Sequence, residues 1–167
     1  MVRGMRRLLL IGAAGAFVGR ALAARLILLK LRRDLVKLNA GDYGPVLAAF
    51  ADDAVLHFNE GAHRWSGDHR GKPAIEQFLR DFTRVGLQGE LERVWISGPP
   101  WALTLVGRFN DEARAPDGEQ IYANQAVLVV RTRWGKVVEQ WDFFRDTVRM
   151  GTLEQRLQEL GIESVAA

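Results

Sequence analysis

Near the end of the chain stands the segment Lys136-Val137-Val138-Glu139-Gln140-Trp141-Asp142-Phe143-Phe144, which places one aspartate within an apolar, aromatic stretch. The segment follows the turn Trp134-Gly135 and is typical of the return strand of a β-hairpin. Because alternate residues of a strand share a face, Asp142 is predicted to point the same way as Gln140 and Phe144. An inward Asp142 needs a hydrogen bond, an ion pair or a shifted pKa, and a shifted pKa is how a general base is made.

Ahead of this hairpin, the apolar periodicity predicts helices first and strands afterwards. One helical stripe ends at Gly41 and consists of Leu28, Leu31, Leu35 and Leu38. Further helices are predicted from Pro45 and Pro73, and a last one from a capping box of Thr152 and Gln155. The predicted strands span residues 54–59, 90–97, 101–110, 121–133 and 136–146.

This order of elements predicts the α+β class. An antiparallel sheet of long strands must bury one face, and the helices are available to cover it. We expect a strongly curved sheet wrapped around the helix at residues 73–85, with a mostly apolar pocket at one end.

Composition indicates a single ordinary domain. A chain of 167 residues buries a real core but has no room for two full-sized domains. The absence of cysteine excludes disulfides, thiolate metal sites and cysteine nucleophiles. Residues 1–33 contain eight Lys or Arg and no acid, whereas the remainder has 15 basic and 20 acidic residues. The mildly acidic body argues against a nucleic-acid-binding domain.

The basic N-terminus allows three interpretations. The first is an amphipathic helix that lies on the domain or on a membrane surface. The second is a signal-like segment, with basic residues 1–7, apolar residues 8–19 and a small-residue site at 21–23. The third is a nucleotide-binding turn, although its third glycine falls one residue late and no acid-ending strand follows. Arg20 and Arg25 argue against a full membrane span.

Four segments, taken in chain order, resemble parts of a SnoaL-like domain, which belongs to the nuclear transport factor 2-like superfamily. These segments are Leu38–Tyr43, Phe50–Leu56, Arg70–Ile75 and Gly135–Phe144. The resemblance covers roughly residues 26–150 and implies a cone-shaped, cystatin-like α+β fold. It does not choose a function, because the superfamily includes hydrolases, isomerases, cyclases and members without catalysis.

The resemblance implies three parts of the chain. Residues 1–25 form a basic, apolar N-terminal segment, residues 26–150 the SnoaL-like domain, and residues 151–167 a short C-terminal helix and tail. The expected location is cytoplasmic or peripheral to the inner face of a membrane, and export by the signal-like N-terminus stays open.

Within the superfamily, the motifs are most similar to limonene epoxide hydrolase-like members. In those enzymes a Tyr and an Asn hold a water beside an Asp on the last strand, and a middle-strand Arg-x-Asp assists. Asn59 and Asp142 match, and His57 stands in place of the Tyr. Arg108 matches, but Asn110 stands where the proton-donating acid is expected. The resemblance thus implies Asp142 and Arg108 as catalytic residues, with His57, Asn59 and Asn110 lining the ligand site.

Two functions remain open at this point. An Arg108 beside Asp142 would keep the carboxylate ionised, which suits a hydrolase or isomerase acting on a small apolar molecule. The alternative is a non-catalytic ligand-binding or dimerisation module in which the two residues form a structural pair and His57 is a core residue.

No cofactor or metal is expected. His63 and His69 lie six residues apart without helical register, and no phosphate-binding Gly-Lys-Ser/Thr loop is present. A homodimer is expected instead, because one predicted outer face is too apolar to meet water. That face carries Glu139, Trp141, Phe143, Val127 and Val129.

Overall fold

The computed structural model describes residues 22–164. The chain divides into two units, Met1–Arg33 and Asp34–Ala167, and each is described by itself. Residues 22–39 are helical (α1), so the described part of the first unit is the first twelve residues of this helix. The signal-like, membrane and nucleotide-binding interpretations of residues 1–21 lie outside the described residues.

The second unit is an α+β fold built on one open, curved sheet of six strands in the order β2-β1-β6-β5-β4-β3. Its elements after α1 are α2 (Gly44–Ala49), β1 (Phe50–His57), β2 (Asp68–Arg70), α3 (Gly71–Arg84), β3 (Gln88–Ser97), β4 (Thr104–Arg114), β5 (Gln120–Arg133), β6 (Lys136–Phe144) and α4 (Val148–Glu159). Neighbouring strands are antiparallel except for β1 and β6, which run parallel.

Most predicted elements are present, but the start of α4 differs from the prediction. The helix begins at Val148, one turn before the predicted capping box. Asp146 makes this earlier start favourable, because its Oδ1 accepts the Val148 backbone N–H at 3.1 Å. Thr152 therefore lies inside the helix, where its hydroxyl donates to the carbonyl of Val148. The predicted capping box at Thr152 and Gln155 is wrong.

The core lies between α3, α4 and the sheet. The face of the sheet that carries the buried side chains of β4 and β5 is called the inner face here. Its buried residues are Phe109, Ala113, Tyr122 and Ala126. The opposite face is called the outer face, and Arg108, Val127 and Phe143 lie in one row across it. Successive residues of a strand point to opposite faces, so a residue's position along its strand decides whether its side chain lies on the inner or the outer face.

Gly107 lies in the same cross-strand row as Leu128 and Asp142 on the inner face. A Cβ at Gly107 would lie 2.6 Å from the ring of Phe109, so this position has no room for a side chain. The Phe109 ring therefore lies against the Gly107 backbone, in the direction of the row that contains Asp142.

The end of α1 is fixed to the edge strand β3 by one side chain. Asn39 Nδ2 donates to the carbonyl of Gly89 at 2.9 Å, and Gly89 N–H donates back to Asn39 Oδ1 at 3.0 Å. The amide thus satisfies an exposed backbone position of the edge strand as a neighbouring strand would.

A buried ion pair joins the loop after β1 to α4. Arg64 Nε donates to Glu154 Oε2 at 2.8 Å and Arg64 Nη2 donates to Glu154 Oε1 at 3.0 Å. Only 4% of the Arg64 side chain and 11% of the Glu154 side chain are exposed. Burial opposes ionisation of Glu154, but its hydrogen bonds from Arg64 lower the pKa of the carboxyl below its ordinary value.

Candidate functional site

Asp142 lies on the inner face of β6, directly opposite Leu128 of β5. Its side chain is half-buried, and Gln140 Nε2 donates to Asp142 Oδ1 at 2.8 Å. Burial raises the pKa of Asp142 to about 7, and the charge of Asp111 adds to this rise against the smaller opposing effect of the Gln140 hydrogen bond. The partial contact with solvent leaves the carboxyl accessible, so it can exchange a proton near neutral pH.

Asp111 is the second inner-face carboxyl. It lies on β4 opposite Asn124, and Asn124 and Leu128 share a face of β5. Burial alone raises the pKa of Asp111 to about 7. Asp111 is not among the site residues that the sequence analysis selects. The signal that identifies it is the alternating set of Phe109, Asp111 and Ala113, which is the more apolar face of β4.

The two carboxyls are not neighbours in the sheet, but the charge of Asp111 affects the pKa of Asp142. Asp111 and Asp142 are two strands apart and four residues apart in register, yet the charge of Asp111 raises the pKa of Asp142. Phe109 and Ala126 lie between them on the inner face. The two carboxyls are therefore separated on the inner face by apolar side chains.

Tyr122 adds a hydroxyl to the same face. The residue is buried, and its hydroxyl has no hydrogen-bond partner among the described residues. Burial raises the pKa of Tyr122, and Asp111 adds to the rise although the nearby Asn124 opposes it. The hydroxyl therefore stays protonated and is a free donor near Asp111.

The expected ion pair between Arg108 and Asp142 is not formed. Arg108 lies opposite Val127 on the outer face, whereas Asp142 lies on the inner face. The guanidinium pairs instead with Glu92 of β3, and both side chains are partly exposed. The prediction had the strand alternation right but placed the inner face on the wrong set of β4 residues.

His57 also lies away from Asp142. It pairs in register with Trp141, whose side chain is on the outer face, and the two rings stack at a centroid distance of 5.2 Å. His57 Nδ1 lies 2.7 Å from Asp68 Oδ1, and its Nε2 lies 3.4 Å from Glu139 Oε1. The residue is thus part of an outer-face cluster.

The two predicted amides occupy different places. Asn59 follows β1, and its Nδ2 lies 3.3 Å from His63 Nε2, while its oxygen has no partner among the described residues. Asn110 lies on the outer-face set of β4 and accepts from Gln125 Nε2 at 3.1 Å. Gln125 Oε1 in turn accepts from Arg145 Nη1 at 3.2 Å. Asn110 of β4, Gln125 of β5 and Arg145, which follows β6, form one polar row.

A depression of about 930 Å³ joins this polar row to Asp111. Carboxamide and charged side chains provide most of its lining, and Asp142 is not among them. The lining residues are Asn39, Gln88, Gly89, Glu90, Asn110, Asp111, Glu112, Ala123, Asn124, Gln125, Arg145, Asp146, Thr147 and Arg149. This depression is polar, unlike the mostly apolar pocket that the sequence predicts, because the ends of β3, β4 and β5 carry amides and charges on both faces.

Residues 22–164 contain no group of three His, Asp or Glu side chains placed to hold a metal ion. In the same range, no helix is both long and apolar enough to cross a bilayer.

Comparison with known protein families identifies the kind of domain that contains this site. The model of the SnoaL-like domain matches residues 32–140, which is more than half of the chain. The chain belongs to the SnoaL-like domain family. A search among curated proteins finds no match.

Solved structures agree on the fold of this SnoaL-like domain. Bal32a, from a soil-derived mobile gene cassette, is 22% identical, with 75% of this chain and 92% of that chain covered and a TM-score of 0.60. A nuclear transport factor 2-like protein of unknown function from Burkholderia pseudomallei is also 22% identical, covering 76% and 95% with a TM-score of 0.61. TerC, co-crystallised with polyporic acid, is 19% identical, covering 77% and 97% with a TM-score of 0.59. Identities this low establish the fold alone.

The SnoaL-like domain shows none of the Arg–Asp geometry that the resemblance to epoxide hydrolases implies. Of the five predicted site residues, only Asp142 is on the inner face of the strands. Arg108, His57 and Asn110 belong to the outer-face set, and Asn59 contacts His63 beyond the end of β1.

Proposed function

We propose that this SnoaL-like domain binds a small molecule that extends from the depression beside Asp111 along the inner face to Asp142, and that the two carboxyls transfer protons on it. The observation that carries the proposal is the presence of two carboxyls, each with a pKa of about 7, on one face of the sheet. An ordinary surface aspartate is fully ionised at neutral pH, whereas this pair still holds a proton.

The environments of the two carboxyls suggest different roles. The Gln140 amide donates to Asp142 and favours its ionised form. Asp111 receives no comparable stabilisation, since burial is the cause of its raised pKa. The two carboxyls share a proton near neutral pH. When Asp111 holds that proton, its charge no longer opposes ionisation of Asp142, so in this form of the pair Asp142 is the general base and Asp111 is the proton donor.

The reaction class that suits this pair is the movement of a proton next to a carbonyl. Asp142 removes the proton from the carbon, and Asp111 gives its proton to the carbonyl oxygen, so that an enol forms. When the substrate is an unsaturated ketone the enol is a dienol, and Asp142 returns the proton to a different carbon while Asp111 takes its proton back from the oxygen, which completes an isomerisation. The unpartnered hydroxyl of Tyr122 is a further donor for the oxygen.

Hydrolysis of an epoxide is the weaker candidate. It requires a water held against the base and, in the related enzymes, an arginine beside the last-strand aspartate. Arg108 contacts Glu92 on the outer face and cannot serve Asp142. Phe109 and Ala126, both buried on the inner face, place apolar side chains beside the carboxyls where a water-holding polar group would be needed.

The ligand we propose has a polar end and an apolar body. Arg145, Gln125 and Asn110 offer a cation and amides for a carboxylate, carbonyl or hydroxyl group. The apolar part would lie toward Phe109. TerC, a structural relative, was co-crystallised with polyporic acid, which supports a small-molecule site in this fold.

Hydrogen–deuterium exchange tests the proposal without knowledge of the product. A panel of small ketones and enones, with and without a carboxylate, is incubated in D2O and followed by proton NMR. We expect exchange next to the carbonyl with the native protein and a loss of at least a hundredfold in Asp142→Asn. Arg108→Gln, changed on the outer face, is the matched control and should retain exchange.

A panel that binds without exchange would contradict catalysis and support the alternative, a non-catalytic ligand-binding module. Thermal shift measured on the same panel separates that outcome from the absence of any binding.

We also propose that the domain forms a homodimer through the outer face. Phe143 is 57% exposed, and Trp141, Val127 and Val129 around it are only partly buried. An apolar sheet face of this kind is normally covered by a second copy in a two-fold contact.

A further inference from the structure

The described part of the first unit, the helical residues 22–33, exposes a row of leucines. Leu22, Leu26 and Leu29 are 58%, 59% and 56% exposed. Their spacing of four and three residues places them within about 60° of one another around the helix axis. More than half of each side chain is therefore open to solvent along one face.

Basic residues lie on both sides of this leucine row. With about 100° of rotation per residue, Arg25 and Arg32 fall on one flank and Lys30 on the other. The whole segment 1–33 has eight Lys or Arg and no acid. Leu28 and Leu31 lie on the far side of the same helix and are half-buried.

The leucine row with its flanking basic residues indicates that an anionic lipid surface covers this face of the helix. Leucine side chains on one face enter the boundary between headgroups and acyl chains, and flanking Lys and Arg extend to the phosphates. A second copy of the row is disfavoured because two segments of charge +8 would repel each other. A neutral apolar partner would not use the basic character of the segment, which has eight Lys or Arg and no acid.

We propose that the row of Leu22, Leu26 and Leu29 docks the protein on an anionic membrane surface, with the helix lying in the plane of the membrane. The charges supply attraction to the headgroups, and the leucines supply the apolar contact that holds the helix there. This inference is independent of the chemistry proposed for the second unit.

Vesicle co-sedimentation of the full-length protein tests the proposal. Vesicles of phosphatidylcholine with phosphatidylglycerol should bind the protein at low salt, and binding should weaken as salt is added. Vesicles of phosphatidylcholine alone should bind at least tenfold less. The double variant Leu26→Glu with Leu29→Glu should lose at least tenfold in binding to the anionic vesicles.

Val148→Glu is the matched control, because Val148 is 75% exposed on α4 and lies outside the row. It should bind as the native protein does, and circular dichroism checks that both proteins are folded. Leu26→Ser with Leu29→Ser repeats the test should the glutamates disturb folding. No vesicle binding, equal binding to both kinds of vesicle, or unchanged binding in the double variants would overturn the proposal, as would self-association that the double variants abolish.

Discussion

Asp111 on β4 and Asp142 on β6 point to the same side of the sheet with strand β5 between them. Burial raises the pKa of both carboxyls to about 7, and the charge of Asp111 adds to the rise at Asp142. A half-buried carboxyl that has no ion pair is costly for the fold, and neither Asp111 nor Asp142 forms an ion pair with the described residues.

The first prediction concerns stability as a function of pH. A carboxyl whose pKa is raised in the folded protein stabilises the fold when protonated, and this stabilisation is lost as pH rises from about 4 to about 7. Asp142→Asn imitates the protonated form. Its free energy of unfolding should exceed that of the native protein by about 1–4 kcal/mol near pH 8, with no difference near pH 4. Urea unfolding at the two pH values measures this.

Asp68→Asn is a control for which we expect the opposite change in the free energy of unfolding. The hydrogen bond from His57 is the main cause that lowers the pKa of Asp68, so its ionised form favours the fold. Its replacement should reduce stability at neutral pH. A loss of stability in Asp142→Asn near pH 8 would show that the ionised carboxylate has a stabilising partner.

The second prediction concerns the coupling of the two carboxyls. Asp111→Asn removes a charge that disfavours ionisation of Asp142, so the pKa of Asp142 should fall toward its ordinary value while staying above it because of burial. Carbon-13 NMR of labelled aspartate carboxyls, followed through a pH titration, measures the shift. Glu112→Gln changes the next residue on the opposite face and should leave the titration of Asp142 unaltered.

The third prediction concerns the buried pair Arg64–Glu154. Glu154→Ala leaves a guanidinium in the interior without its carboxylate and should cost about 3–5 kcal/mol in the free energy of unfolding. Glu159→Ala, on the same helix, removes the exposed partner of Arg156 and should cost less than about 1 kcal/mol. Equal effects in urea unfolding would mean that solvent reaches Arg64.

The fourth prediction concerns the dimer. Phe143→Glu places a charge in the centre of the apolar outer face and should convert a dimer to a monomer in sedimentation velocity. Trp101→Glu, at an exposed aromatic residue outside that face, should leave the dimer intact. A native protein that sediments as a monomer at micromolar concentrations contradicts the outer-face contact.

The fifth prediction concerns the proposed boundary after residue 25. A chain that begins at Leu26 keeps Leu35, Leu38 and Asn39 of α1 and should still melt cooperatively. A chain that begins at Asp42 loses those core contacts and both Asn39–Gly89 hydrogen bonds, and it should melt at a lower temperature or not fold. Aggregation of the first chain would place residues 1–25 in the core.

The fold could be predicted from the sequence because local sequence patterns define its helices and strands. Apolar periodicity predicts α1 and the strands, and Pro73 marks the start of a helix. The segments that resemble the SnoaL-like family then predict how these elements are arranged. The start of α4 was missed because the side chains of Asp146 and Thr152 can each accept a backbone N–H ahead of a helix, and only the tertiary structure distinguishes them.

The site was harder to predict because alternation fixes which residues share a face but not which face is inner. On β4, Arg108 and Asn110 oppose Phe109 and Asp111 in any register. The resemblance to epoxide hydrolases favoured the first pair, whereas the structure buries the second set. The pairing of β1 with β6 has no local signature, so the separation of His57 from Asp142 could not be read from either strand alone.

The parallel contact of β1 with β6 also constrains how the protein folds as it is synthesised. His57 and Glu139 touch although 82 positions separate them along the chain. When β1 leaves the ribosome, only the short strand β2 follows soon enough to pair with it. The other edge of β1 stays unpaired until β6 has been synthesised. Pairing between such distant parts of the chain slows folding. The nascent chain therefore exposes an unpaired strand edge during this interval, which is when chaperones would matter most.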